Sequence, residues 1–162
     1  MTELDISTAD DGYELRQRQR LAAPIDEVFD FFADPENLEA LTPDRLRFTV
    51  ERVRGEMGEG AEIDYTLRLH GIPIDWTSRI LNWDPPRSFA DVQIQGPYRK
   101  WEHVHLFVPD GDTTLAVDRV GYDVPGGPLA PLANGLFVRR DLRAIFGYRA
   151  QRLAERFGEV EV

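Results

Sequence analysis

The sequence predicts an α+β fold, with a curved antiparallel sheet of seven strands wrapped around one long C-terminal helix and two short helices after the first strand. Three patterns carry that expectation. Apolar and polar residues alternate with period two in successive segments between residues 46 and 124, as antiparallel strands with one wet face do. A short, strongly apolar helical stretch precedes that run. After the breaker PGGP at 125–128, apolar residues recur at spacings of three and four.

Each element has a local cause. YELRQRQRL at 13–21 alternates loosely and reads as the first strand. In the helix that follows, IDEVFDFFAD, Pro24 suits the first turn, while Asp26 and Glu27 suit the positive end of the helix dipole. Val28, Phe29, Phe31 and Phe32 make it apolar over a wide arc, so burial is expected. PENLEAL at 35–41 forms a second short helix that stops before Pro43. LRFTVERV then places Leu46, Phe48 and Val50 on one side, and AEIDYTLRL sets Ile63, Tyr65, Leu67 and Leu69 against Asp64, Thr66 and Arg68. Four further strands are expected at 73–83, 88–95, 98–109 and 113–124, separated by the turn-forming stretches WDPPR, QGP and PDGD. The last helix carries Leu142, Phe146, Arg149, Leu153 and Phe157 on one face, with a possible bend at Gly135 or Gly147. One helix cannot fill so curved a sheet, which leaves a cavity between them.

Composition narrows the function. At 162 residues the chain is read as a single domain over 1–162, with a flexible N-terminus at 1–11. There is no cysteine, which removes disulfides, thiolate metal sites and cysteine nucleophiles. A net charge of −10 opposes binding to a phosphate backbone, so nucleic acid is not an expected partner. No signal-like or membrane-spanning apolar run stands in the sequence, and a cytoplasmic location without membrane insertion is expected.

The segments LAAPIDEVFDFFADPENLEALTP (21–43), IPIDWTSRILNWDPPRSFADVQIQGPYRKWEHVHLF (72–107), DRVGYDVPGGPL (118–129) and FVRRDLRAIFGYR (137–149) resemble the START-related, pollen-allergen-like superfamily known as SRPBCC. The resemblance covers roughly residues 12 to 157 and points to the bacterial ligand-binding group of that superfamily. Some members are described as polyketide cyclases or carry a fused epimerase-like domain. It implies a helix-grip fold with a hydrophobic cavity, and leaves activity open because the superfamily has no shared catalytic motif.

Two of the three histidines, His103 and His105, lie two apart in YRKWEHVHLF. On a strand they share a face with Trp101 and Phe107, while Glu102 points away. That face is expected to turn inward, toward Phe137 or Phe146 of the long helix, because these aromatics would otherwise form a costly exposed patch. A zinc site needs a third ligand. Glu102 has the wrong parity, His70 stands at a strand end, and Asp118 serves only if its parity matches, so neither metal nor cofactor is expected. Arg79 and Asp118, each in an apolar strand, read either as an ion pair on the solvated face or as an anchor for a ligand oxygen.

Tyr65, Trp76, Tyr98, Trp101, Tyr122, Phe137 and Phe146, with Arg79, His103, His105 and Asp118, make up the expected lining, and the loops at 55–60 and 123–131 its entrance. The first functional expectation is binding of a small hydrophobic molecule that is aromatic, polyketide-like or lipid-like. The competing one is a cyclase or aromatase using His103 or His105 as acid–base, with Arg79 or Tyr98 steadying an enolate. A third, an accessory domain for an epimerase-like partner, comes only from the resemblance.

Overall fold

The computed structural model describes residues 2–162. One antiparallel sheet runs in the order β1-β2-β8-β7-β6-β5-β4-β3, with a short ninth strand on β2. Its strands are β1 Glu3–Ala9, β2 Gly12–Leu21, β3 Thr49–Arg54, β4 Glu62–Leu69, β5 Ile72–Asp84, β6 Ser88–Gln95, β7 Lys100–Asp110, β8 Thr113–Asp123 and β9 Glu159–Val160. Helices α1 Ile25–Phe32 and α2 Asn37–Ala40 follow β2. The C-terminal segment is built from α3 Ala130–Ala133, a π-helical turn Asn134–Val138 and α4 Arg139–Phe157. Among the described residues no helix is long and apolar enough to cross a membrane.

The α+β architecture is thus as expected, but among the described residues the sheet has nine strands rather than seven. Both extra strands are at chain ends. The N-terminus, read as flexible over 1–11, is a paired edge strand: Glu3 to Ala9 run antiparallel to Arg18 to Gly12. Its acidic residues face out, which disguised the alternation, while Ile6 is buried beside Leu15, Val120, Tyr122, Leu142 and Phe146. Arg139 also donates to the Ile6 carbonyl. Gly12 closes the β1–β2 turn at φ +126, where a Cβ would lie 2.3 Å from the Tyr122 carbonyl oxygen, so a side chain is excluded there. The C-terminal helical segment changes to a π turn where it contains Gly135, whereas α4 passes through Gly147 unbroken.

Two apolar clusters fill the concave side. The first surrounds α1: Phe29 meets Phe89 and Phe107 edge-on at 5.8 and 5.6 Å, and Leu153 and Phe157 of α4 pack against the same group. The second joins Ile6, Leu15, Trp101, Val120 and Tyr122 to Leu142 and Phe146. Gln17 and Gln19 of β2 fasten the helix between them, donating to the carbonyls of Phe146 and Ala150 at 3.2 and 2.8 Å. At the other rim His70, in the β4–β5 turn, lies 2.8 Å from the Asp141 carboxylate.

Ile6→Ala is expected to cost about 2–5 kcal/mol, the usual range for truncating a buried aliphatic side chain, read as a lower urea midpoint with an unchanged slope. A terminus that did not pack would show no change. Phe107→Ala is expected to cost about 3–5 kcal/mol in the same measurement.

Candidate functional site

The parity of β7 decides what faces the helix. Trp101, His103, His105 and Phe107 are all buried on the concave side, and Glu102 is exposed on the other. Sheet register then sets Asp91 of β6 opposite His103, and Asp118 of β8 opposite His105. The hydrogen bonds run along the diagonals, as side chains two positions apart on neighbouring strands can. His103 Nε2 lies 2.7 Å from Asp118 Oδ1, and His105 Nε2 lies 2.8 Å from Asp91 Oδ2. The two imidazoles stack at 3.8 Å. Arg149 reaches down from α4, with Nη2 3.6 Å from Asp118 Oδ1 and its guanidinium 4.9 Å from the Phe32 ring centre.

This five-residue group sits between the two apolar clusters. His105 stacks on Phe89 of the first, and His103 meets Phe146 and Trp101 of the second. Burial opposes charge on Asp118, yet Arg149 and both imidazoles hold its carboxyl well below the usual carboxylate range. Asp91 is also held below its ordinary value against burial, chiefly by the hydrogen bond from His105. Both carboxylates are therefore acceptors, and the imidazole nitrogens facing them at 2.7 and 2.8 Å are N–H donors.

The two histidines move apart. Burial and the neighbouring His105 lower His103, while on His105 the two carboxylates outweigh burial and raise it. The surroundings thus favour the charged form on His105 over His103, and the two titrate as a coupled pair. Arg149 brings one positive charge to the group and the two aspartates bring two negative ones. The group's hydrogen bonding is incomplete, however. His105 Nδ1 lies 3.3 Å from Asp118 Oδ1 without hydrogen-bond geometry, and Arg149 Nε and Nη2 have no hydrogen-bond partner among the described residues.

Beside this group opens a cavity of about 160 Å³, walled by Tyr65 and Leu67 of β4, Trp76 and Ser78 of β5, Tyr98, Trp101, and Leu142, Ile145 and Phe146 of α4. Asp91, His103, His105 and Arg149 form its polar end. Its partly exposed lining residues include Leu38, Thr42, Phe48, Leu69 and Ile145, which sets the entrance between the α2 region, the end of β4 and α4. Burial pushes the Tyr65 and Tyr98 hydroxyls up, so both stay protonated donors at neutral pH. A second space of about 20 Å³, room for about one water, lies on the α1 side of His105 and Arg149.

Of the residues singled out from the sequence, Tyr65, Trp76, Tyr98, Trp101, His103, His105 and Phe146 line the cavity, and Asp118 stands directly behind the imidazoles. Three do not. Arg79 is on the convex face, bound to Glu62 at 2.8 Å, because its parity on β5 is opposite to that of Trp76 and Ser78. Phe137 is 57% exposed on the π turn, and of the two helix phenylalanines expected there it is Phe146 that meets the histidines. Tyr122 is fully buried behind Trp101, gives its hydroxyl to Asn134 at 2.8 Å, and has its pKa pushed up to about 12 by burial. Tyr98 precedes β7 rather than belonging to it, which lets its ring turn in to 4.8 Å from Trp101. The loops expected at the entrance contribute no lining to the main cavity; Met57 borders only the small one. Asp91 and Arg149 were not among the expected residues. Their signal was a carboxylate inside the apolar strand SFADVQIQ and an arginine in the buried register of the last helix.

Because the folded-state pKa of Asp118 is depressed, its stabilising contribution is fully present above about pH 4 and is lost as pH falls through the folded value. Asp118→Asn is expected to cost about 3–5 kcal/mol at neutral pH, since it leaves the buried Arg149 charge without its counter-ion. Urea unfolding between pH 3 and 7 should show a shallower acid slope for the variant than for the wild type; parallel slopes would refute the assignment.

A family model described as polyketide cyclase / dehydrase and lipid transport matches residues 13–158. A search of curated proteins returns no match. Among solved structures, protein Ms6760 of Mycobacterium smegmatis is 18% identical with a TM-score of 0.67, covering 94% of this chain and 96% of that one. TTHA0849 of Thermus thermophilus is 19% identical with a TM-score of 0.64, covering 88% and 98%. Norcoclaurine synthase of Thalictrum flavum, solved as a point mutant with a transition-state analogue, is 18% identical with a TM-score of 0.61, covering 95% and 99%. At these identities the structures share the fold. The helix-grip architecture, the cavity between sheet and helix and a family match over nearly the whole length together assign this chain to the polyketide cyclase / dehydrase and lipid transport family of the SRPBCC superfamily.

Proposed function

We propose that the protein binds a small, ring-containing apolar molecule bearing one oxygen group, held in the cavity between sheet and α4. The observation that supports this is the pairing of an apolar cavity with an incompletely bonded polar end. Arg149 is buried, borders the cavity and has two nitrogens, Nε and Nη2, without hydrogen-bond partners among the described residues. An unmet buried donor costs roughly 1–3 kcal/mol, and a ligand carbonyl, phenol or carboxylate oxygen relieves that cost. The volume, about 160 Å³, is close to the ~150 Å³ apolar cavity known to hold a benzene ring. Trp76 meets Trp101 edge to face at 5.3 Å and Tyr98 tilts against Trp101 at 4.8 Å, and together they offer a wall for a planar group. A cytoplasmic setting belongs to the same reading. No feature of the cavity calls for an epimerase-like partner.

A second reading, cyclisation or dehydration of a polyketide-like substrate, is favoured by one geometric fact. His103 is oriented by the buried Asp118 carboxylate at 2.7 Å and is lowered by burial, so it stands neutral at the cavity wall, with Nδ1 3.7 Å from Asp91 Oδ2 and beyond hydrogen-bond distance. That is the form a general base needs.

Calorimetric titration with phenol against benzene, and 2-naphthol against naphthalene, is expected to show a negative heat-capacity change and tighter binding of the oxygenated member by about 5–30-fold. Arg149→Met should remove that preference while apolar binding persists. Absence of binding across the panel would refute the proposal. Under the second reading, His103→Gln retains ligand binding and loses turnover of a β-polyketone substrate at least 100-fold; unchanged turnover would remove His103 from the chemistry.

A further inference from the structure

We propose that Asp91, His103 and His105 form a site for one divalent transition-metal ion, with Asp118 holding both imidazoles from behind. The donor atoms of these three residues all lie within 4.8 Å of one another. Asp91 Oδ2 is 2.8 Å from His105 Nε2 and 3.7 Å from His103 Nδ1. Donors at about 2.0–2.2 Å from a tetrahedral ion stand roughly 3.3 Å apart, so both Asp91–imidazole distances lie within about half an ångström of that spacing, and side-chain rotation has to close the remaining histidine–histidine separation.

The outer contacts match what such a site requires. A metal-bound imidazole gives its other N–H to a carboxylate or carbonyl, which sets the tautomer. With the ion on His103 Nδ1, the Nε2–H remains bonded to Asp118 at 2.7 Å. With the ion on His105 Nε2, the proton belongs on Nδ1, the buried nitrogen that now lacks a hydrogen bond and already lies 3.3 Å from the same Asp118 oxygen. One carboxylate thus serves both ligands. Charge agrees as well: with both imidazoles neutral, Asp91 and Asp118 outweigh Arg149 by one negative charge, and the surroundings attract a cation. All three ligands border the cavity, which leaves the remaining coordination position facing it. Two imidazoles and one carboxylate suit zinc, cobalt or ferrous ions and disfavour magnesium and calcium, which take oxygen donors.

The inference does not rest on the proposed ring ligand, and its test keeps the two apart. Untagged full-length protein, stripped with chelator and checked for native circular dichroism, is titrated with Co²⁺ and then with Zn²⁺, with Mg²⁺ as control. The expected result is one Co²⁺ per chain with visible d–d absorption of low coordination number, displaced by one equivalent of Zn²⁺ and unaffected by Mg²⁺. Asp91→Asn and His103→Gln should weaken Co²⁺ at least 100-fold, and Asp118→Asn about 10–100-fold with the spectrum retained. No saturable spectrum from folded wild-type protein overturns the site, and so does stoichiometric binding that survives both ligand substitutions. The wild-type titration stands alone if a variant fails to fold. Ring compounds binding the metal-free protein while Co²⁺ does not would refute the metal and leave the cavity reading standing.

Discussion

Asp118 is the point through which sheet and helix communicate. Its carboxylate takes His103 at 2.7 Å, lies 3.3 Å from His105, and faces the Arg149 guanidinium at 3.6 Å, so two strands and α4 converge on one buried charge. Such a charge is tolerable only when paired, and here each partner is itself buried. The arrangement is therefore mutually dependent. Without Arg149 the two aspartates would carry uncompensated charge into the interior, and without Asp118 the imidazoles would lose the group that orients them.

The same constraint explains where the cavity lies. A sheet curved around one helix can be filled with aromatics at α1, where Phe29, Phe32, Phe89 and Phe107 interlock, and again where Ile6, Leu15 and Tyr122 meet Leu142 and Phe146. Between these two packed regions the wall is occupied by polar side chains that cannot be covered by apolar ones at no cost. Space remains beside them, walled by Trp76, Tyr98 and Trp101. Site and cavity are thus two results of one packing problem. The helix is anchored on either side of it, by Gln17 and Gln19 within and by His70 with Asp141 at the rim.

A group of five ionisable residues in mutual contact is also a chemically flexible one. In the proposed metal site a cation takes the place of a proton at the imidazoles, whose far nitrogens both face the Asp118 carboxylate, at 2.7 and 3.3 Å. The group can equally serve an oxygen-bearing ligand, whose acceptor would meet the unpaired donors of Arg149. Residues on the convex face have no such latitude. Arg79 and Arg54 are engaged with Glu62 in water, where an ion pair contributes little.

What the sequence by itself determined is the set of elements, since their causes are local. Period-two alternation specifies strands at 61–69 and 98–109, close to the observed bounds, apolar residues at spacings of three and four specify the last helix, and bulky aromatics beside His103 and His105 specify which face of that strand turns inward. What only the tertiary structure decided depends on register between strands. Nothing local places Asp91 opposite His103 or Asp118 opposite His105, so the third donor of the cluster was not legible, although a carboxylate in an apolar strand marked it. Arg79 and Asp118 looked equivalent along the chain. Parity sent one to solvent and the other to the interior, because a one-residue offset exchanges the two faces of a strand. The edge strand at residues 3–9 was hidden for a related reason: an edge needs only one buried side chain, Ile6, and its acidic neighbours spoke for solvent. Pairing across distance, not local preference, decides such cases.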